Sequence, residues 1–225
     1  QRLSRGLGDV YKRQTRGKPH SDQLDLSNNL MTQAVDPIGE NGVDLRNYGE
    51  PIGIIEARKL GADILDSKID LTIAGEQSSY LLMTQLLLGR FLFGLDDDPW
   101  KNDKEPAFLC AVPGFDRHFA TLEGLGLKMH TVNLCSSGID LDDLNKKLSK
   151  YSNIKGLICV PRHSNPSGEV FSDENITNLL KITKEYNSSF INLFDHAYLI
   201  HDFDETRVQT PIPLLADGLG ALDNV

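Results

Sequence analysis

Apolar and polar positions along this chain change rhythm repeatedly. Short apolar runs without a helical period read as strands, and longer runs with apolar residues every third or fourth position read as helices. Strand-like runs fall at Ile69–Gly75 (IDLTIAG), Ala107–Val112 (AFLCAV), Lys128–Leu134 (KMHTVNL), Lys155–Val160 (KGLICV) and Ser189–Asp195 (SFINLFD). Helix-like runs lie between them, at Ile54–Leu65, Ser78–Gly94, Asp116–Gly126, Gly138–Tyr151 and Ser172–Asn187. Asp140 and Ser172 stand where N-caps belong, each followed by acidic residues in the first turn. The run Tyr80–Leu95 is apolar enough to read as a buried helix, but Gln85 and Arg90 interrupt it and it is too short to span a bilayer. Asp96–Pro106 (DDDPWKNDKEP) reads as a polar loop, and Asn47–Gly53 (NYGEPIG) as a Gly/Pro turn. Strand followed by helix, repeated, predicts a three-layer α/β/α fold with a mostly parallel sheet.

Composition narrows the function classes. The chain has 225 residues and a net charge of -9, which argues against a nucleic-acid partner, since that needs a basic stripe. No membrane partner is expected. Three cysteines, Cys110, Cys135 and Cys159, form no C-x-x-C pair, and two of them sit in apolar runs. Cys110 and Cys159 read as buried thiols, and the three together point to a reducing, cytoplasmic setting rather than to disulfides or zinc. Six histidines show no metal-ligand spacing, so no metal is expected. There is no G-x-G-x-x-G after a strand, no G-K-[ST] loop and no G-x-S-x-G.

The residues just after each expected strand carry the chemistry, because a parallel sheet gathers ligands at the carboxyl ends of its strands. Gly75-Glu76-Gln77-Ser78-Ser79 opens a helix and offers hydroxyls and backbone N–H groups to a phosphate. Phe115 offers a flat apolar face. Asn165, in Asn-Pro-Ser-Gly, offers an amide, with Pro166 restricting the backbone and Gly168 letting the chain turn into the next helix. Asp195, followed by Tyr198, puts a carboxylate at the end of a buried strand. The set suits a planar, phosphorylated, nitrogen-containing ring.

This ordered set resembles the fold-type I pyridoxal-phosphate-dependent aminotransferases. YGEPIGIIEAR resembles the family's Y-x-x-x-x-G-x-x-E-x-R, NPSG its N-P-T-G, and FDHAY its D-x-A-Y. TRGKPHSDQLDLSN, RNYGEPIG, VPGFDRHF and SNPSGEVFSDE are similar to the divergent bacterial aspartate aminotransferase subgroup. The resemblance implies pyridoxal 5'-phosphate as cofactor and an amino acid, aspartate or glutamate, with a 2-oxo acid as substrates. It places Asp195 on the pyridine nitrogen, Asn165 and Tyr198 on the ring 3-oxygen, and Phe115 on the ring face. Ser78, with Gln77 and Ser79, would hold the phosphate. Tyr48 would reach the phosphate of a neighbouring subunit, which implies a homodimer with shared sites, and Gly17 would lie near the substrate carboxylate. Several have a plainer alternative: Asp195 as a strand-end turn residue, Phe115 as core, Ser78 and Ser79 as caps, Tyr48 as a turn residue. His163 is open between the cofactor and a role in holding its loop.

The same resemblance marks what the chain does not contain. The Schiff-base lysine belongs well after the Asp-x-x-Tyr motif, and no lysine occurs from His196 to Val225. Arg207 is too early to be the family's carboxylate-gripping arginine. The expectation is a partial large domain over residues 47–225, preceded by an N-terminal arm over 15–46 and without the small C-terminal domain. Residues 1–14 read as a non-native, adapter-like segment. Such a fragment would not transaminate alone. Two rivals share the scaffold: a pyridoxal-phosphate β-lyase, and an aminotransferase-like regulatory domain, which would need a basic DNA-binding segment upstream.

Overall fold

The computed structural model describes residues 19–75, 77–95, 97–202 and 209–225. The chain divides into two compact units, residues 1–48 and 49–225. In the first, helix α1 (Ser21–Asp25) is capped by His20 and Gln23 in a reciprocal box, and an isolated antiparallel bridge joins Ile38 to Asp44.

In the second unit, strands β1 (Ala107–Val112), β2 (Lys128–Cys135), β3 (Gly138–Ile139), β4 (Ile154–Cys159) and β5 (Ile191–Phe194) form one sheet in the order β3-β2-β1-β4-β5. All pairings are parallel except β2 with the two-residue β3, which turns back antiparallel at the edge. The helices are α2 (Ile55–Leu65), α3 (Ser79–Phe93), α4 (Asp116–Gly124), α5 (Leu141–Lys150), α6 (Asp173–Tyr186) and α7 (Ile212–Gly218).

The three layers follow from strand alternation. On β1, Ala107, Leu109 and Ala111 join a core with Leu144 of α5, Ile176 and Leu179 of α6, and Ile212 of α7. Phe108 and Cys110 point the other way, to Leu87 of α3 and Leu122 of α4. Gly156 of β4 makes this possible, since a Cβ there would lie 2.5 Å from the Phe108 ring. The caps act as expected: the Asp140 carboxylate accepts from the Asp142 and Asp143 amides, and Ser172 Oγ from Asn175 N–H. Cys110 and Cys159 are buried, and burial pushes the Cys110 thiol up to about 12.

Three expectations are corrected. Ile69–Gly75 is not a buried strand: Ile69–Leu71 is a 3₁₀ turn, and Leu71 and Ile73 are exposed. A strand needs a neighbour to complete its ladder. Here Ala74 N–H bonds Ile52 O, while the carbonyls of Ile69 and Thr72 are taken by Arg58. Helix α3 forms where expected, yet of its side chains only Leu87 is buried, and Leu81, Leu86, Leu88 and Phe93 face solvent. Its sequence is apolar on every side, whereas the sheet covers a single flank. Third, the polar loop contains a buried residue: Trp100 opens a 3₁₀ turn and folds back onto Phe108, ring centroids 6.0 Å apart. Among the described residues no helix is long and apolar enough to cross a membrane.

Candidate functional site

The parallel strands end at one edge of the sheet, and the local sequence there places side chains rather than packing them away. Asp195 follows β5, its N–H still bonded to Cys159 O at 2.9 Å, so the ladder fixes its backbone. The residue is 6% exposed. Oδ2 lies 2.9 Å from His118 Nε2, and Oδ1 accepts the Ala197 N–H at 3.2 Å. A buried carboxylate without such partners would be costly, and the His118 ring and the Ala197 N–H offset that cost at the strand end. His118 is the third residue of α4 and is itself buried. Phe115, the N-cap residue of α4, meets the His118 ring edge-on at 5.1 Å. Burial, opposed by the Asp195 charge and aided by Arg162, pulls the neighbouring His196 down to about 4, so that ring is neutral at pH 7.

Beside this pair, Asn165 Nδ2 donates to the Tyr198 hydroxyl at 3.2 Å. Asn165 begins the tight loop after β4, closed by Ser164 N–H on Glu169 O, with Gly168 at φ +87°, a conformation glycine adopts without strain. Gln209 ties the base of that loop by donating to Pro161 O and Phe171 O. His163, which the sequence left open, reaches Asp202 instead, at 2.7 Å.

Gln77, Ser78 and Ser79 stand at the start of α3. Ser78 occupies the N-cap position in extended conformation, yet its hydroxyl does not cap the helix. The YGEPIGIIEAR motif explains how the approach to this helix is held. Arg58 of α2 grips the carbonyls of Thr72 (2.8 Å) and Ile69 (2.7 Å). Gly53, at φ +90°, lets the chain pass so close to Ala74 that a Cβ would lie 2.1 Å from Ala74 O. Thr121 Oγ1 of α4 donates to the Tyr80 hydroxyl of α3 at 2.8 Å, joining the helix that begins at Ser79 to the one that carries His118. Tyr48 lies in the first unit and is 95% exposed, and Gly17 and Arg207 lie outside the described residues.

Among the described residues, the sheet is bordered by recesses at both ends of its strands. One, at the carboxyl ends of the strands, is lined by Pro113, Gly114, Phe115, His118 and Ser164. The other is a broader, open groove near the start of β4, lined by Tyr151, Asn153, Tyr186 and Asn187. Chemistry decides between them: the first adjoins the acid–imidazole pair, and the second has no comparable donor set. Among the described residues, no group of three His, Cys, Asp or Glu is placed to hold a metal ion.

The chain is similar to known proteins along most of its length. The family model described as aspartate amino-transferase matches residues 5–218. The chain belongs to the aspartate aminotransferase family. An aspartate aminotransferase of Corynebacterium glutamicum is 34% identical over 193 residues, 83% of this chain and 44% of that protein. A protein of Mycolicibacterium smegmatis named as an aminotransferase is 35% identical over 213 residues, 92% of this chain and 49% of its own. The chain therefore spans about half the length of the curated relatives it matches. Among solved structures, an aspartate transaminase from C. glutamicum superposes with TM-score 0.80 at 31% identity, over 92% of this chain and 50% of that one.

Sequence reasoning missed one member of the site. His118 sits three residues after Phe115 at the start of the helix that follows β1. That helix-start position, beside a strand end, was the available signal.

Proposed function

We propose that this chain forms the cofactor-holding part of a pyridoxal-phosphate-dependent aminotransferase that uses aspartate or glutamate with a 2-oxo acid. The observation that carries the reading is the buried Asp195–His118 pair at the end of β5, with Asn165 and Tyr198 bonded to each other on the adjoining loops. These residues fit the cofactor chemically. A buried carboxylate matches a protonated ring nitrogen, an amide and a phenol match a ring oxygen, Phe115 supplies a stacking face, and an uncapped Ser78 at a helix start matches a phosphate. When bound, pyridoxal phosphate supplies the electron-withdrawing ring that carries an amino group between substrates.

On this reading Asp195 holds a proton at the ring nitrogen, and His118 keeps the carboxylate oriented and dry. Asn165 and Tyr198 donate to the ring 3-oxygen, while Ser78, with Gln77 and Ser79, binds the phosphate. Tyr48 serves the phosphate of a second copy in a homodimer, and Gly17 lies near the substrate carboxylate. With no lysine between His196 and Val225, the 225-residue chain is expected not to transaminate unaided.

Equilibrium dialysis against pyridoxal phosphate tests the reading. Asp195→Asn should weaken binding about tenfold or more, equivalent to roughly 1.4 kcal/mol. Equal binding by the variant would remove Asp195 from the site. Conversion of aspartate and 2-oxoglutarate by this chain alone would refute the expected inactivity.

A further inference from the structure

The loop after β4 and the segment after β5 are joined by a cluster that no cofactor role accounts for. Arg162 directs its guanidinium at Asp202, with Nε 3.0 Å from Oδ1 and a terminal nitrogen on Oδ2. His163 Nε2 meets the same carboxylate, 2.7 Å from Oδ1. Arg162 is 7% exposed, which is unusual for an arginine that merely decorates a surface.

Two consecutive residues in extended chain point to opposite sides. Arg162 and His163 both reach one carboxylate because His163 is in the left-handed region, at φ +51°. A non-glycine residue held there reflects surroundings that over-determine it, and here the three-way contact with Asp202 is the evident constraint. From His163 the chain runs through Ser164 to Asn165. On the other side, Asp202 follows directly on the turn that His201 N–H closes on Tyr198 O at 3.1 Å. The clamp therefore joins, within a few residues, the segments that present Asn165 and Tyr198 to each other.

We infer that Asp202, gripped by Arg162 and His163, is a positioning residue that sets the Asn165–Tyr198 pair. Its consequence for a cofactor rests on the aminotransferase reading above; its effect on the pair does not. Without the carboxylate, the Arg162 guanidinium loses its charged partner in a buried place, and the left-handed turn at His163 loses the contact that sustains it. The two loops are then free to separate at their tips, where Asn165 and Tyr198 meet.

The test reads the pair itself. The chain is labelled with tyrosine carrying carbon-13 at Cζ, and the Tyr198 resonance is assigned by its absence in Tyr198→Phe. Asn165→Ala defines the resonance of an unpartnered Tyr198. Asp202→Asn is expected to move the Tyr198 signal most of the way to that reference, and Asp202→Glu to return it part of the way. Leu148→Ala, which weakens the core elsewhere, should leave it in place, separating positioning from general loss of stability. Should Asp202→Asn fail to fold, His163→Gln removes one arm of the clamp and should give a smaller shift in the same direction. A Tyr198 signal identical to wild type in every clamp variant that folds would overturn the proposal. Dialysis against pyridoxal phosphate keeps the two readings apart. A moved resonance with tenfold weaker binding supports both, whereas a moved resonance in a chain that never binds the cofactor upholds the clamp and rejects the cofactor site.

Discussion

Two parts of the second unit reverse what their sequences suggest: α3 is far more apolar than α5 or α6, yet it is the less buried. Where α5, α6 and α7 lie against the sheet, Leu144, Leu148, Ile176, Leu179, Leu180, Ile212 and Ala216 are all buried in one core. In the stretch from α2 through α3, Leu60, Ile64, Leu71, Ile73, Leu81 and Phe93 face solvent. The first region is held by apolar packing. The second is held at its turn by hydrogen bonds, with Arg58 on two carbonyls and Ala74 on Ile52. Apolar text therefore states a need for cover, and only the topology says whether cover is supplied.

The largest expected contrast lies between two phenylalanines. Phe190 is fully buried and meets Tyr186 edge-on, so Phe190→Ala should cost about 3–5 kcal/mol in urea unfolding. Phe93 is 73% exposed, and Phe93→Ala should stay within about 0.5 kcal/mol. Comparable losses at the two sites would break the comparison.

A middle-sized effect should come from the hydrogen-bonded region. Arg58→Met keeps much of the side-chain bulk but strips two carbonyls of a charged donor, costing on the order of 2 kcal/mol. Hydrogen exchange should quicken at the Ala74 and Thr72 amides while β1 and β4 keep their protection. Unchanged exchange at Ala74 would mean that Arg58 does not hold this segment.

The smallest contrast compares two helix starts. Ser172 caps α6 through its hydroxyl, so Ser172→Ala should lower stability by roughly 1 kcal/mol. Ser78 heads α3 without capping it, and Ser78→Ala should leave the melting temperature unmoved while weakening pyridoxal phosphate in dialysis. A stability loss at Ser78 equal to that at Ser172 would give its hydroxyl a structural duty.

The features that could be read along the chain are local in origin. The apolar runs at β1, β2, β4 and β5, the helical periods of α2 to α6 and the caps at Asp140 and Ser172 depend on neighbours a few residues away, and all were legible. The meeting of the strand-end residues was legible too, since a parallel sheet brings those after β1, β4 and β5 to one edge without further information. Features that depend on distant partners emerge only in the folded chain. Ile69–Gly75 has strand composition but finds Arg58 and Ile52 in place of a ladder. Trp100 is buried because Phe108 lies beneath it, and no polar-loop pattern records that. His118 gains its place only when α4 brings it to Asp195, 77 residues along the chain. Arg162 and His163 acquire a shared partner in Asp202 through one left-handed residue. Short-range propensity writes the elements; long-range contact, which no window of sequence contains, assembles the site.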